Sequence, residues 1–244
     1  MKIALLGHGV MNRLVEVRAR AEGHEVNFVS TSREAAREIN ELVELLCGHD
    51  AAIDFSVADA VPHHAEACVH AGVPLVEGTT GWNEQRERVR RLVEEHQGAL
   101  VYGANFSIGV NIFYRLVARA AKFFQRFDDY APFIEEAHHS RKRDAPSGTA
   151  LVLRDLLAAQ IARDIPIAST RAGHIPGTHR IGFDSAADQI TLTHTARTRE
   201  GFAAGALLAA EWIINKRGVY EFSEMIDEML TTVTSGKRQV ASDE

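Results

Sequence analysis

Short apolar runs and segments of helical spacing alternate through the first hundred residues of this chain, and that alternation restricts its fold more than anything else in it. Ile3-Ala4-Leu5-Leu6 is continuously apolar and stops at a glycine, the pattern of a strand covered on both faces. Residues 10–22 follow with Val10, Leu14, Val17 and Ala21 at helical spacing, closed by Gly23. Strand-like runs return at residues 25–29, 51–55, 73–77 and 99–102. Between them, residues 33–46 place Ala36, Ile39, Val43 and Leu46 on one helical face. Residues 58–70 form a helix with Pro62 in its first turn, and residues 83–96 form a charged amphipathic one. Nine elements in strict strand–helix order, with connections this short, predict a parallel, doubly wound sheet. Its ligand crevice lies beyond the carboxyl ends of the strands.

Those ends are Gly7-His8-Gly9, Ser30-Thr31-Ser32, Asp54-Phe55-Ser56, Gly78-Thr79-Thr80-Gly81 and Gly103-Ala104-Asn105-Phe106-Ser107. A glycine pair alone is ordinary turn punctuation. Between a first strand and a first helix, however, it allows backbone N–H groups to approach a pyrophosphate on the helix N-terminus, so the sheet reads as Rossmann-like and dinucleotide-binding. Asn12 stands where the fingerprint carries glycine or alanine, which puts close helix-to-strand packing there in question. The second strand ends without the carboxylate that would accept a ribose 2′-hydroxyl. Ser30, Thr31, Ser32 and Arg33 are instead compatible with a 2′-phosphate, a lean towards NADPH over NADH. Ser32 as a plain cap of the next helix explains the same residues about as well.

With 27 basic and 33 acidic side chains, a net charge of −6, the chain has no general attraction for nucleic acid or anionic membrane. Its apolar N-terminal run is too short for a signal peptide or a membrane span. Two cysteines, Cys47 and Cys68, make neither a zinc cluster nor a CxxC pair, so a reducing cytoplasm with free thiols is expected. Against this acidic background, His138, His139, Arg141, Lys142 and Arg143 crowd six positions, just ahead of Pro146-Ser147-Gly148-Thr149 and the apolar helix that begins at Ala150. A helix start with glycine and hydroxyls offers free N–H groups, and lysine or histidine adds charge-assisted hydrogen bonds. Two anion subsites suit a small dicarboxylate; the plainer reading is a solvated basic loop with a capped helix. No metal site is expected, because adjacent histidines diverge and no HExxH motif or cysteine accompanies them. The solitary His24, His49, His70 and His96, the pair His63-His64, and His8 on its own merits read as surface or packing residues.

The string Glu136-Ala137-His138-His139, Lys142 and Asp144-Ala145-Pro146-Ser147-Gly148-Thr149-Ala150 resembles the signature of the 4-hydroxy-tetrahydrodipicolinate reductase (dihydrodipicolinate reductase) family. Asp54-Phe55-Ser56, Gly78-Thr79-Thr80-Gly81, residues 104–111, Arg199 and Phe202-Ala203-Ala204-Gly205-Ala206 resemble its other blocks in the same order, so nearly the whole chain is covered. The resemblance implies NADPH- or NADH-dependent reduction of a cyclic dicarboxylate with loss of water, in lysine and diaminopimelate synthesis. It implies acid/base and proton-donor roles for His138 and Lys142, and substrate contacts at His139, Gly148 and Thr149. Gly7, His8, Gly9, Val10, Met11 and Asn12 would line the dinucleotide, with Gly78, Thr79, Thr80, Gly103, Ala104, Asn105 and Phe106, while Ser32 and Arg33 are the candidates for its 2′-phosphate. Lys142 can both pair with a carboxylate and supply a proton, and a histidine titrates near neutrality.

Beyond the signature, strand-like residues 178–183 and 189–195 predict a smaller α+β domain with a mixed sheet. Residues 201–214 are nearly all apolar or small, a helix buried on several sides, and residues 235–244 read as a frayed polar tail. The expected organisation is a discontinuous dinucleotide-binding domain, 1–106 and 200–244, around a substrate-binding and oligomerisation domain, 107–199, with catalysis in the cleft between them. A homotetramer assembled through the sheets of the substrate domain is what the resemblance implies. Two other readings are a dinucleotide-sensing module without turnover and a dehydrogenase of another small carboxylate.

Overall fold

The computed structural model describes residues 1–30 and 37–239, which divide into two compact units: Met1–Ile108 with Arg199–Glu244, and Gly109–Thr198. The first unit opens with β1 (Lys2–Leu6), α1 (Val10–Ala21), β2 (Glu25–Ser30), α2 (Ile39–Leu46), β3 (Ala51–Asp54) and α3 (Val61–Ala71). It continues with β4 (Leu75–Glu77), α4 (Arg86–Glu95) and β5 (Ala99–Tyr102). The second unit holds most of α5 (Ile108–Phe124), then β6 (Ala131–His138), α6 (Gly148–Ala158), β7 (Ile167–Arg171), β8 (Thr178–Asp184) and β9 (Gln189–Thr195). The chain then returns to the first unit with α7 (Glu200–Ile213), β10 (Gly218–Glu221) and α8 (Phe222–Gln239).

All pairings in the six-stranded sheet, ordered β10-β5-β4-β3-β1-β2, are parallel. The expected strand–helix alternation is present, and β10 is a sixth strand that was not expected: Gly218–Glu221 is short, half-exposed and carries no apolar alternation. Its central strands are buried along their whole length, which is why they read as unbroken apolar runs rather than alternating ones. Leu6, Leu42, Leu46, Val61, Leu75, Val89, Val93 and Leu100 share one core cluster beside them.

α1 turns a different face inward from the one expected. Val10 and Val17 are 62% and 69% exposed, whereas Asn12, Val15 and Ala19 are buried. The reason is local. Asn12 Nδ2 donates to the carbonyls of Leu6 (2.6 Å) and Gly7 (2.8 Å), so the helix packs closely on the strand with an amide where the fingerprint has glycine. α1 packs on α7, a helix whose buried face is mostly Ala, Gly and Leu. There Gly205 lies against the chain at Phe106, where a Cβ would sit 1.8 Å from the Phe106 carbonyl oxygen, so only glycine permits the approach.

The second unit carries a four-stranded mixed sheet, β7-β6-β8-β9, in which β6 and β7 are parallel and the other pairs antiparallel. β8 and β9 match the expected strands, whereas α5, β6 and β7 go beyond the expected elements. Phe113 and Val117 of α5, Leu153 and Leu157 of α6, and Ile134, Ile181 and Phe183 of the sheet form its core. α8 runs on to Gln239, past the position where a frayed tail was expected to begin; residues 240–244 lie outside the described residues. Within the described residues α2 begins at Ile39, and residues 33–36, where the helix was expected to start, lie outside them.

Candidate active site

β6 places Glu136 and His138 two residues apart, so both side chains leave the same face of the strand. The antiparallel register sets His179 of β8 opposite Glu136. Glu136 is 2% exposed; its Oε1 accepts hydrogen bonds from the Ser147 N–H (3.2 Å) and Arg171 Nη2 (2.6 Å). Burial by itself would raise its pKa, but hydrogen bonds from Ser147, Ser169 and Arg171 overcome that and hold it at about 2. His138 Nε2 lies 3.0 Å from Glu136 Oε2 and 3.4 Å from His179 Nε2. Nε2 thus faces both the Glu136 carboxylate and the His179 ring, while Nδ1 points away from Glu136.

Burial lowers the His138 pKa from its ordinary value, and the Lys142 and Arg171 charges add to that against the pull of Glu136. The titration near neutrality expected of this histidine is therefore moved to lower pH. His179 is lowered further, to about 4, by burial and by His138. Its Nε2 also lies 3.1 Å from Ser147 Oγ. Lys142 is paired with Asp144 at 2.8 Å, and Asp144 is held below the usual carboxylate range by that lysine. Ser147 caps α6 by accepting the Ala150 N–H. Gly148 and Thr149 are the first residues of that helix, so their N–H groups have no intrahelical carbonyl, and the space over Gly148 is open. Glu136, His138 and His179 bring their donor atoms close enough to hold an ion, and the Arg171 guanidinium already sits on Glu136 at 2.6 Å.

The expected nucleotide residues lie in the first unit. Gly9, Val10, Met11, Gly78, Thr79 and Thr80 line a crevice of about 430 Å³ with residues 55–58 and Arg199. Gly7 holds φ at +92°, and a Cβ there would meet Phe55 O and Ser56 Cα at 3.0 Å, so the turn needs glycine on both counts. Gly9 is the N-cap of α1 without a side chain in the way. Gly103 and Ala104 line a smaller neighbouring recess with Thr79 and Thr80. His8 stacks edge-on against Phe28. Asn105 accepts the Ser107 N–H. Asn12 and Phe106 are instead buried, Phe106 packing 4.6 Å from the Phe222 ring. Ser32 and Arg33, and with them the lean towards NADPH, lie outside the described residues.

Glu136, Arg171 and His179 were not singled out from the sequence. Glu136 could have been, since two-residue spacing from His138 on a strand means a shared face. His179 and Arg171 reach the group only through strand pairing, 41 and 35 residues away from His138 and Glu136 respectively. His64, read as surface or packing, is buried and paired with Asp54 at 2.6 Å.

A parallel sheet with a glycine turn at its first crossover, in one chain with a separate mixed-sheet unit, is the architecture of the dinucleotide-dependent oxidoreductases. The structure is similar in fold to dipicolinate-bound dihydrodipicolinate reductase from Paenisporosarcina sp. TG-14, with a TM-score of 0.73 over 91% of this chain and 97% of that one at 20% identity. Residues 1–106 match the family model for the N-terminus of dihydrodipicolinate reductase and residues 109–226 the one for its C-terminus. The 4-hydroxy-tetrahydrodipicolinate reductase of Christiangramia forsetii is 35% identical over 241 residues, 94% of this chain and 99% of the relative. That of Archaeoglobus fulgidus is 33% identical over 262 residues, 93% of this chain and 100% of the relative. The chain belongs to the dihydrodipicolinate reductase family, whose members use a nicotinamide nucleotide.

Proposed function

We propose that this chain reduces 4-hydroxy-tetrahydrodipicolinate to tetrahydrodipicolinate, taking up a hydride and a proton and releasing water, as a step of lysine and diaminopimelate synthesis. The observation that carries the reading is the grouping, in one unit, of an ionised buried Glu136, two imidazoles shifted towards neutrality, the Lys142 cation and the open N-terminus of α6. The first unit would hold the dinucleotide along Gly7–Met11 and Gly78–Thr80, where the glycine turn leaves room for a phosphate against backbone N–H groups. The nicotinamide, NADPH or NADH, supplies the hydride.

In the second unit one substrate carboxylate would take the Gly148 and Thr149 N–H groups with help from His139, and the other would displace Asp144 from Lys142. Lys142, already a cation, is then the proton donor. His138, whose pKa burial lowers and whose Nε2 lies 3.0 Å from Glu136, is better suited to accepting or relaying a proton than to being the primary acid. The division of residues would follow function: 1–106 and 200–244 for the nucleotide, 107–199 for the substrate and for assembly into a homotetramer through the mixed sheet. The sheet face with Glu135, Thr178, Arg180 and Thr193 lines a shallow hollow of about 520 Å³ and supports such an assembly. A cytoplasmic location accords with the two free thiols; among the described residues no helix is long and apolar enough to cross a membrane.

The test is nicotinamide oxidation followed at 340 nm with freshly prepared 4-hydroxy-tetrahydrodipicolinate and NADPH or NADH in parallel. Substrate-dependent loss of absorbance is the expected result, and it ranks the cofactors. Cofactor binding without oxidation would replace this reading with a dinucleotide-sensing module or a dehydrogenase of another small carboxylate.

A further inference from the structure

Three titratable side chains are buried beneath the crevice of the first unit and take no part in the chemistry above: Asp54, Glu77 and His64, at 0%, 0% and 1% exposure. Asp54 ends β3 and Glu77 ends β4, and the two are register partners across the parallel pair. Each carboxyl group reaches forward to the backbone of its own following turn. Asp54 Oδ1 accepts the Ser56 N–H at 2.8 Å, and Glu77 Oε1 accepts the Thr79 N–H at 2.6 Å. The two turns are tied to each other as well, since the Ser56 N–H also lies 3.1 Å from Thr79 Oγ1. From α3, His64 Nδ1 donates to Asp54 Oδ2 at 2.6 Å.

Two carboxyl groups and an imidazole are costly to bury, and an apolar set of the same volume would serve packing alone at least as well. What these three obtain for that cost is a grip on the turns at residues 55–58 and 78–81, and the outer surfaces of both turns line the crevice. Burial and the neighbouring Asp54 push the Glu77 pKa well up, and His64 Nδ1 lies 2.6 Å from Asp54 Oδ2 on the other side of the pair. The thiol of Cys68, raised by burial and by the same two carboxyl groups, completes the titratable groups of the cluster.

We propose that Asp54, Glu77 and His64 are positioning residues that hold the 55–58 and 78–81 turns in the shape that receives the dinucleotide. The inference rests on the assignment of this crevice to the nicotinamide nucleotide. It requires that the cluster govern dinucleotide affinity and leave the substrate chemistry of the second unit untouched. The conservative variant Glu77→Gln keeps an acceptor for the Thr79 N–H, whereas Glu77→Leu removes it.

The experiment is a fluorescence titration of the full chain with NADPH and NADH, together with kcat and KM for the dinucleotide at saturating substrate, on wild type and both variants. Glu77→Leu is expected to raise the dinucleotide Kd and KM tenfold or more with kcat within twofold, while Glu77→Gln stays within threefold of wild type. Equal affinity in Glu77→Leu, or equal damage from both substitutions, overturns the proposal. Should Glu77→Leu fail to fold, the pair His64→Asn and His64→Leu decides in the same way, because an Asn amide nitrogen takes the place of His Nδ1 and Leu offers no donor. A wild-type chain that binds neither nucleotide overturns the assignment of the crevice itself, and the role of the cluster with it.

Discussion

Glu136 can stay ionised in a place almost closed to water because the fold brings it a guanidinium and a backbone N–H at a helix start, with the His138 and His179 rings beside it. The imidazoles carry a consequence for stability. His179 has its pKa depressed from 6.5 to about 4, so the unfolded chain binds the extra proton first as pH falls. Stability contributed by the neutral ring is therefore complete above pH 6.5 and is lost between there and pH 4, to the extent of a few kcal/mol. Thermal melts across that range should show wild type losing stability on acidification and His179→Gln losing less over the same interval. Lys142→Ala should lower kcat by about a hundredfold or more while dinucleotide affinity measured by titration stays unchanged; unaltered turnover would remove Lys142 from the chemistry. At this scale the sequence was legible where partners are close along the chain. The His138–Lys142 segment and the Gly148-Thr149 helix start could be read directly, whereas His179, Arg171 and the Asp54–His64 pair depend on which strand lies beside which and on how a helix is rotated.

Elements were readable to the degree that burial imposed one period. β1, β3 and β4 are buried on both faces and α4 carries a strict amphipathic pattern, so each declared itself. β10 and β7 did not, being short, polar and partly exposed, and the apolar stripe of α1 misled because two stripes of similar quality interleave on that helix and the buried one contains an asparagine. What selects the Asn12 face is a pair of carbonyls at the end of β1 that need a donor. Two element-level predictions follow from close contacts. Ser147→Ala removes the cap of α6 and should lower stability by about 1 kcal/mol in urea unfolding. Gly205→Ala forces α7 away from the Phe106 carbonyl and should lower it by about 3 kcal/mol, with the urea midpoint shifted accordingly.

For the molecule as a whole, light scattering coupled to size exclusion should give four times the 26.9 kDa chain mass. A charge pair placed on the open sheet face is the sensitive probe: Arg180 is bonded to Glu135 across β6 and β8 at 2.7 Å, and Thr193→Glu beside it should shift the mass towards smaller species while leaving the far-UV spectrum unchanged. A mass equal to one chain at all concentrations would refute the tetramer. The order of the elements has one more effect, on how this protein comes into being. Residues 109–198 form a unit from one unbroken stretch, but the six-stranded sheet has its last strand at Gly218–Glu221. During synthesis β5 therefore leaves the ribosome with nothing on its outer side, and stays an open template for stray pairing until nearly the whole chain has been made. A nascent chain stalled before residue 218 should accordingly be easily degraded or prone to clump, although more than four-fifths of the polypeptide is already present.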